Sequence, residues 1–299
     1  MKKHAYLIIA HNNFYILEKL LKLLDDERND IYIHIDKKVN NFDFNYFKNI
    51  CVRSNIKFIK RIKVYWGGYS QVKCELNLLK QAIKNNYEYY HLLSGSDLPI
   101  KTQDYIHDFF EKNQGIEFIR YMDTGWNYER VSNIHLFRNY CKSDKKILEL
   151  LYNYTNSVIT KFINRKCYDY TKKFNCVFKK GDQWFSITNE LAHYICKSEN
   201  KIKKMFRYAA CPDEHFIHTI AYNSKFKQNI SYYTCKREID WDRGKPYVYR
   251  LEDYDLLIDS ENLFARKFDV GIDVNIIDKI YNTIRSEENG FNKYNSSSI

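Results

Sequence analysis

Proline is nearly missing from this chain, with three residues in 299, and glycine is scarce at nine. Each of the few is therefore expected to answer a local need, a turn or a close approach of backbone. No apolar run reaches the ~20 residues that cross a bilayer. The opening "MKKHAYLIIAHNN" has a basic end, but its hydrophobic stretch is only Ala5 to Ala10. That falls short of a signal-peptide core and has no small-residue cleavage site, so it reads as a first buried strand and the protein is expected in the cytoplasm. No C-x-x-C pair occurs among the eight cysteines, which signals neither a zinc ribbon nor a redox site, and free thiols are expected. G-x-G-x-x-G, the Walker loop and G-x-S-x-G are all missing, which sets aside dinucleotide-dependent dehydrogenases, P-loop enzymes and elbow hydrolases.

What is present is aromatic and basic. Tyr (27) and Phe (19) supply much of the expected core, with 44% hydrophobic and 28% charged residues overall. The net charge of +11 points to anionic partners. Nucleic acid is not among those expected, because the cations are dispersed and no nucleic-acid module is recognisable. Two denser patches, Lys57 to Lys63 and Lys201 to Arg207, alternate cations with apolar residues. They read as solvated faces or as contacts with an anionic membrane surface.

Short apolar runs alternate with helical periods as far as Met122, as in "AYLIIAH", "NFYILEKLLKLLDD", "DIYIHID" and "SQVKCELNLLKQAIKNN". That pattern predicts an α/β, Rossmann-like sheet, mostly parallel and flanked by helices. "AHNN", "HIDKK" and "SGSD" would then surround one crevice at the carboxyl ends of the strands. Without a repeat or a linker, the chain reads as a single unit over 1–299. Its parts are a nucleotide-binding half at 1–122, an acceptor and catalytic half at 123–285, and a polar tail at 286–299 expected to fray.

"AACPDEHFIHTI" (Ala209 to Ile220) places Pro212, Asp213 and Glu214 before an apolar-periodic run. Locally this reads equally as a helix entrance, with Pro first and acids in the first turn, and as a catalytic base held at a helix N-terminus. His215 and His218 share a face nearby, yet no further ligands gather around them, so no metal is expected there. Asp240-Trp241-Asp242 could offer carboxylates to a metal, but it lies far along the chain from the usual metal position. A wall of the donor or acceptor pocket, with Trp241 as a stacking face, is the preferred reading.

Taken in order, "AYLIIAHNN", "YIHIDKK", "YWGGYSQVKCELNLL", "LLSGSDLPIKT", "KKGDQWFSITNE", "CPDEHFIHTI" and "LFARKFD" resemble the core-2/I-branching β-1,6-N-acetylglucosaminyltransferases and the peptide O-xylosyltransferases. The blocks run from Ala5 to Asp269. The resemblance implies a GT-A-type fold and inverting, metal-independent transfer from a UDP-sugar, with N-acetylglucosamine preferred over xylose as the donor sugar. No other cofactor is implied. By the same resemblance Glu214 is the base, and His11 and Asp36 lie against the nucleotide. Lys267 embraces the diphosphate, together with Arg250, which spacing alone aligns. Asp97 is expected to fix the loop after its strand or touch the donor sugar, while Trp184 stands at the acceptor side or in the core. Asp213 belongs to the same pocket, and Lys73 and Glu75 read as helix-surface or supporting residues. Cys211 departs from the family's serine, a change expected to affect only helix capping.

The animal relatives are Golgi-anchored, and this sequence has no such anchor. A bacterial-type member at the inner face of the membrane is therefore expected, acting on a glycan acceptor carried by a lipid. The alternative is a protein of the same fold that binds nucleotide-sugar or glycan without turnover.

Overall fold

The strand His4–Ala10 (β1) is central in its sheet and apolar on both faces because a core layer covers each face. It pairs in parallel with Asn29–Ile35 (β2) and Tyr89–Ser94 (β4), and β2 pairs in parallel with Asn55–Phe58 (β3). Lys180–Thr188 (β7) joins β4 antiparallel, and Phe118–Met122 (β6) closes the edge antiparallel to β7, giving the order β3-β2-β1-β4-β7-β6. Five of the six strands thus share one direction, as the alternating pattern predicts. The reversed strand, β7, lies between β4 and β6. A smaller sheet pairs Leu98–Pro99 (β5), Phe264–Arg266 (β9) and Arg237–Ile239 (β8) in the order β5-β9-β8. The computed structural model describes residues 3–122, 124–141, 146–155, 157–158, 161–167 and 169–296. Residue 123, where the second half was placed, lies outside them.

Strand alternation divides the core in two. Ala5 and Leu7 point to one layer with Tyr90 and Leu92, packed under the helix Tyr69–Ala82. Tyr6, Ile8 and Ala10 point to the other, where the helices Phe14–Leu23, Gln103–Lys112 and Val274–Ser296 lie. The last helix takes in the stretch expected to fray as far as Ser296. Within this second layer sits a buried polar chain in which His91, packed against Tyr6 and Phe110, contacts His4 (3.1 Å) and Ser186 (2.7 Å), and Arg237 donates to Ser186 (2.8 Å).

Register sets the crevice. Ala10 stands opposite Ile35 and Ile9 opposite Ser94, so His11, Asp36 and the Gly95–Asp97 turn leave the sheet at one edge. Gly95 is required there: a Cβ would lie 2.8 Å from that of Ala10. Because β7 runs the opposite way, its first residues, Lys180 and Asp182, lie at this same edge.

Candidate active site

Asp36 is buried and turned to its own backbone. It accepts from the amides of Lys38 (2.8 Å) and Val64 (3.3 Å), with the Lys38 ammonium 3.6 Å away. It organises the loop after β2 that presents Lys38. The His11 imidazole is held below its ordinary pKa, first by desolvation and then by the charges of Lys38 and Lys267, with Asp36 opposing. His11, Lys38 and Lys267 therefore share one neighbourhood, and Lys38 is a cation that the motif reading did not single out.

The segments of Arg250 and Lys267 lie side by side: the Tyr249 amide donates to the Lys267 carbonyl (3.0 Å), and the Lys267 amide to that of Tyr247 (3.4 Å). Neither Arg250 nor Lys267 forms an ion pair among the described residues, and Arg250 is exposed. The preceding residue, Arg266, points inward, its guanidinium 3.3 Å from Asp97 and stacked 4.0 Å over Trp184. Asp97 is fully buried, accepting from the amide (2.8 Å) and hydroxyl (2.6 Å) of Ser94. Trp184 is likewise buried, as a platform for Arg266.

Alternation along β7 joins this end to the other. Lys180, Asp182 and Trp184 share a face. Asp182 pairs with Arg120 (2.8 Å), which leaves β6 at a bulge between Ile119 and Tyr121. Burial pushes the Asp182 carboxyl up, although Arg120 and Lys180 oppose the shift. Lys180 reaches Oε2 of Glu214 at 3.2 Å, and Arg130 donates to the same oxygen at 2.8 Å.

The turn that carries Glu214 corrects the helix-entrance reading. Pro212–Glu214 is a separate 3-10 turn, and the helix begins only at Phe216. His215 interrupts the run at φ −127°, its ring 3.2 Å from the Lys179 carbonyl. Two cations hold Glu214 in place of a helix dipole. Cys211 stands before the turn in the left-handed region (φ 48°) and makes no side-chain cap, while its amide donates to the Gly67 carbonyl (2.9 Å). Burial and the neighbouring Asp213 and Glu214 push its thiol up to about 11, so it is neutral at pH 7.

Asp213 turns inward, accepting from Gln71 (3.1 Å), and its carboxyl is raised to about 7 by burial and then by Glu214. Behind it lies Glu75, fully buried, accepting from Gln183 (2.8 Å) and raised well above its usual range by burial and by Asp213. The surface alternative for Glu75 is therefore overturned. It belongs to a helix whose apolar face covers the sheet, and it supports Asp213 from behind. Each carboxyl keeps one buried oxygen without a partner, Glu75 Oε2 and Asp213 Oδ1.

Trp241 is half-exposed on a loop organised by Asp240, which accepts from the Asp242 (2.8 Å) and Arg243 (2.9 Å) amides and from the Arg243 side chain (2.5 Å). Asp240 is thus spent on its own turn. No three His, Cys, Asp or Glu side chains gather as a metal set among the described residues. The Lys57 to Lys63 patch is not a simple cationic face either, because Arg61 turns inward to the carbonyls of Ile35 (3.0 Å) and Asp36 (2.6 Å). A cavity of about 790 Å³ opens at the opposite edge of the sheet beside Lys3, Tyr89 and Glu190, away from these carboxylates.

Comparison with known proteins shows the family of the chain. The family model described as Core-2/I-Branching enzyme matches residues 4–256. Xylosyltransferase 2 of Rattus norvegicus is 22% identical over 92% of this chain and 33% of its own length. Xylosyltransferase oxt of Drosophila melanogaster is 25% identical over 85% of this chain and 30% of its own. The chain thus spans about a third of the length of these curated relatives. Among solved structures, the apo form of mouse xyloside xylosyltransferase 1 aligns with a TM-score of 0.39 at 8% identity, covering 89% of this chain and 97% of the other.

Proposed function

The chain belongs to the Core-2/I-branching enzyme family, and on that premise we propose that it is an inverting glycosyltransferase of GT-A type. In this reading it moves a sugar from UDP to a hydroxyl of a glycan acceptor carried on a lipid. One observation carries the proposal. Glu214 stands between Arg130 and Lys180 at the edge where His11, Lys38 and Lys267 also gather.

The chemistry follows from that layout. Glu214 takes the proton of the acceptor hydroxyl as its oxygen attacks the anomeric carbon opposite the departing nucleotide. Negative charge grows on the diphosphate as the glycosidic bond breaks, and Lys267 as a point charge and Arg250 as a fork meet it without a metal. The family resemblance puts N-acetylglucosamine first as the donor sugar. The xylosyltransferase names of the relatives reverse that order, so UDP-xylose becomes the first donor to test.

The double ion pair on Glu214 favours a second reading, a protein that binds nucleotide-sugar without turnover, because Arg130 and Lys180 both occupy Oε2 of the proposed base. Calorimetric titration with UDP, UDP-xylose and UDP-N-acetylglucosamine in EDTA, then with manganese, tests the binding scheme. Binding in EDTA is expected, and binding only with manganese overturns the metal-free clamp. Release of free UDP from the preferred donor in the presence of a glycan acceptor separates the enzyme from the binding protein.

A further inference from the structure

The helix Lys146–Thr155 carries its apolar residues on the wrong side for a core helix. Ile147, Leu150, Leu151 and Tyr154 follow the i, i+3, i+4, i+7 spacing of one helix face, and they are 73%, 68%, 53% and 71% exposed. Only Tyr152, on another side, is buried, accepting from Arg138 at 3.0 Å. In the helix Lys161–Cys167, Phe162 is also 60% exposed, with the Lys166 ammonium 4.7 Å over its ring. A monomeric protein rarely leaves such a stripe to water unless something covers it.

The charge around the stripe identifies the cover. From Arg138 to Lys173 the sequence has nine Lys and Arg against three Asp and Glu, a net +6 of the chain's +11. Lys146, at the start of the stripe's helix, and Lys161, Arg165 and Lys166, around Phe162 in the next, are exposed. Two copies meeting here would set like charges together, whereas a surface of anionic lipid headgroups over acyl chains complements both the cations and the stripe. No described helix is long and apolar enough to cross a membrane, so contact through this face lies in the interface plane.

We propose that this face docks the protein on an anionic lipid surface beside its crevice. Position supports it. Arg138, which holds Tyr152, also donates to the Gly67 carbonyl (3.3 Å), and that carbonyl accepts from the Cys211 amide at the start of the Glu214 turn. A lipid-linked acceptor would then be delivered to the edge that holds the base. Only this consequence rests on the proposed reaction; the docking itself does not.

The full chain is sedimented with vesicles of phosphatidylcholine alone and with about 30% phosphatidylglycerol, at low salt and at about 0.5 M. Binding to the anionic vesicles is expected, and at least about fivefold weaker binding for the pair Leu150→Glu and Tyr154→Glu. Lys161→Glu with Lys166→Glu, a second exposed pair, should weaken binding only where phosphatidylglycerol is present. UDP affinity and melting temperature are measured on every variant, so a failed transferase reading is distinguishable from failed docking. The proposal is overturned by vesicle binding equal in wild type and the Leu150/Tyr154 pair, which would be diffuse charge attraction. Absence of vesicle binding overturns it too, as does a dimer that Leu150→Glu dissolves and vesicles do not displace.

Discussion

Arg130 donates to Oε2 of Glu214 at 2.8 Å, although the two residues are 84 positions apart. Arg130 lies in a stretch without a motif and reaches Glu214 because the Ala210 amide binds the Arg130 carbonyl (2.7 Å) beside the turn. The proposed base is therefore held by a contact made in the folded chain, and its removal can be tested without changing its shape.

Glu214→Gln keeps an acceptor oxygen for Arg130 and Lys180 but cannot take a proton. Transfer should fall by about 10²- to 10⁴-fold, while UDP affinity stays within about twofold of wild type. Equal losses of transfer, UDP binding and melting temperature would reduce Glu214 to a structural role.

Lys267→Ala and Arg250→Ala should each weaken UDP binding about tenfold, about 1.4 kcal/mol, and leave uridine, which has no diphosphate, unaffected. Calorimetry with both ligands decides. If Arg250→Ala binds UDP as wild type does while Lys267→Ala does not, Lys38 is the next candidate for the second cation.

Asp213→Asn tests the buried carboxyl. A carboxyl whose folded pKa is raised, here from 3.8 to about 7, contributes most below pH 4, and its contribution is lost as pH rises through about 7. Asparagine removes that dependence and keeps an oxygen for Gln71. The melting temperature of the variant should therefore gain on wild type from pH 4 to 7 and level off above. A difference that does not vary with pH would mean that Asp213 titrates as an ordinary surface acid.

Gly181→Ala should be severe. A Cβ at Gly181 would lie 1.9 Å from the Arg120 carbonyl and 2.4 Å from His218 Nε2, so strand β7 would have to leave β6. A loss of about 3 kcal/mol or more is expected in denaturant unfolding. At Gly115 a Cβ meets nothing within 4 Å, and only the left-handed backbone (φ 81°) opposes it. Gly115→Ala should cost about 1–2 kcal/mol.

Much of the architecture is legible in local pattern. "HAYLIIA" and "NDIYIHI" are strands because their branched and aromatic residues fill both faces of a covered sheet. The reversal of β7 is not legible. A run of alternating residues carries no direction, and β7 takes its place only by pairing with β4 and β6. Glu75 is misleading for a related reason. In the helical period it sits beside Leu76 and Leu79, and nothing local says that Gln183 and Asp213 wait on the sheet side. Arg266 differs from its neighbour Lys267 in the same manner. Two adjacent cations look alike in sequence, yet one is buried against Asp97 and Trp184 while the other forms no ion pair among the described residues.

The sequence by itself determined the order of the blocks, the alternation of strand and helix, the family and the candidate base, because each depends on residue types at short spacing. Tertiary structure alone decided which carboxylates are buried, which cations meet Glu214, that the Pro212–Glu214 turn is no helix start, and which apolar face is left outside. These depend on desolvation and on contacts between segments tens of residues apart, and such energies exist only once the sheet has closed.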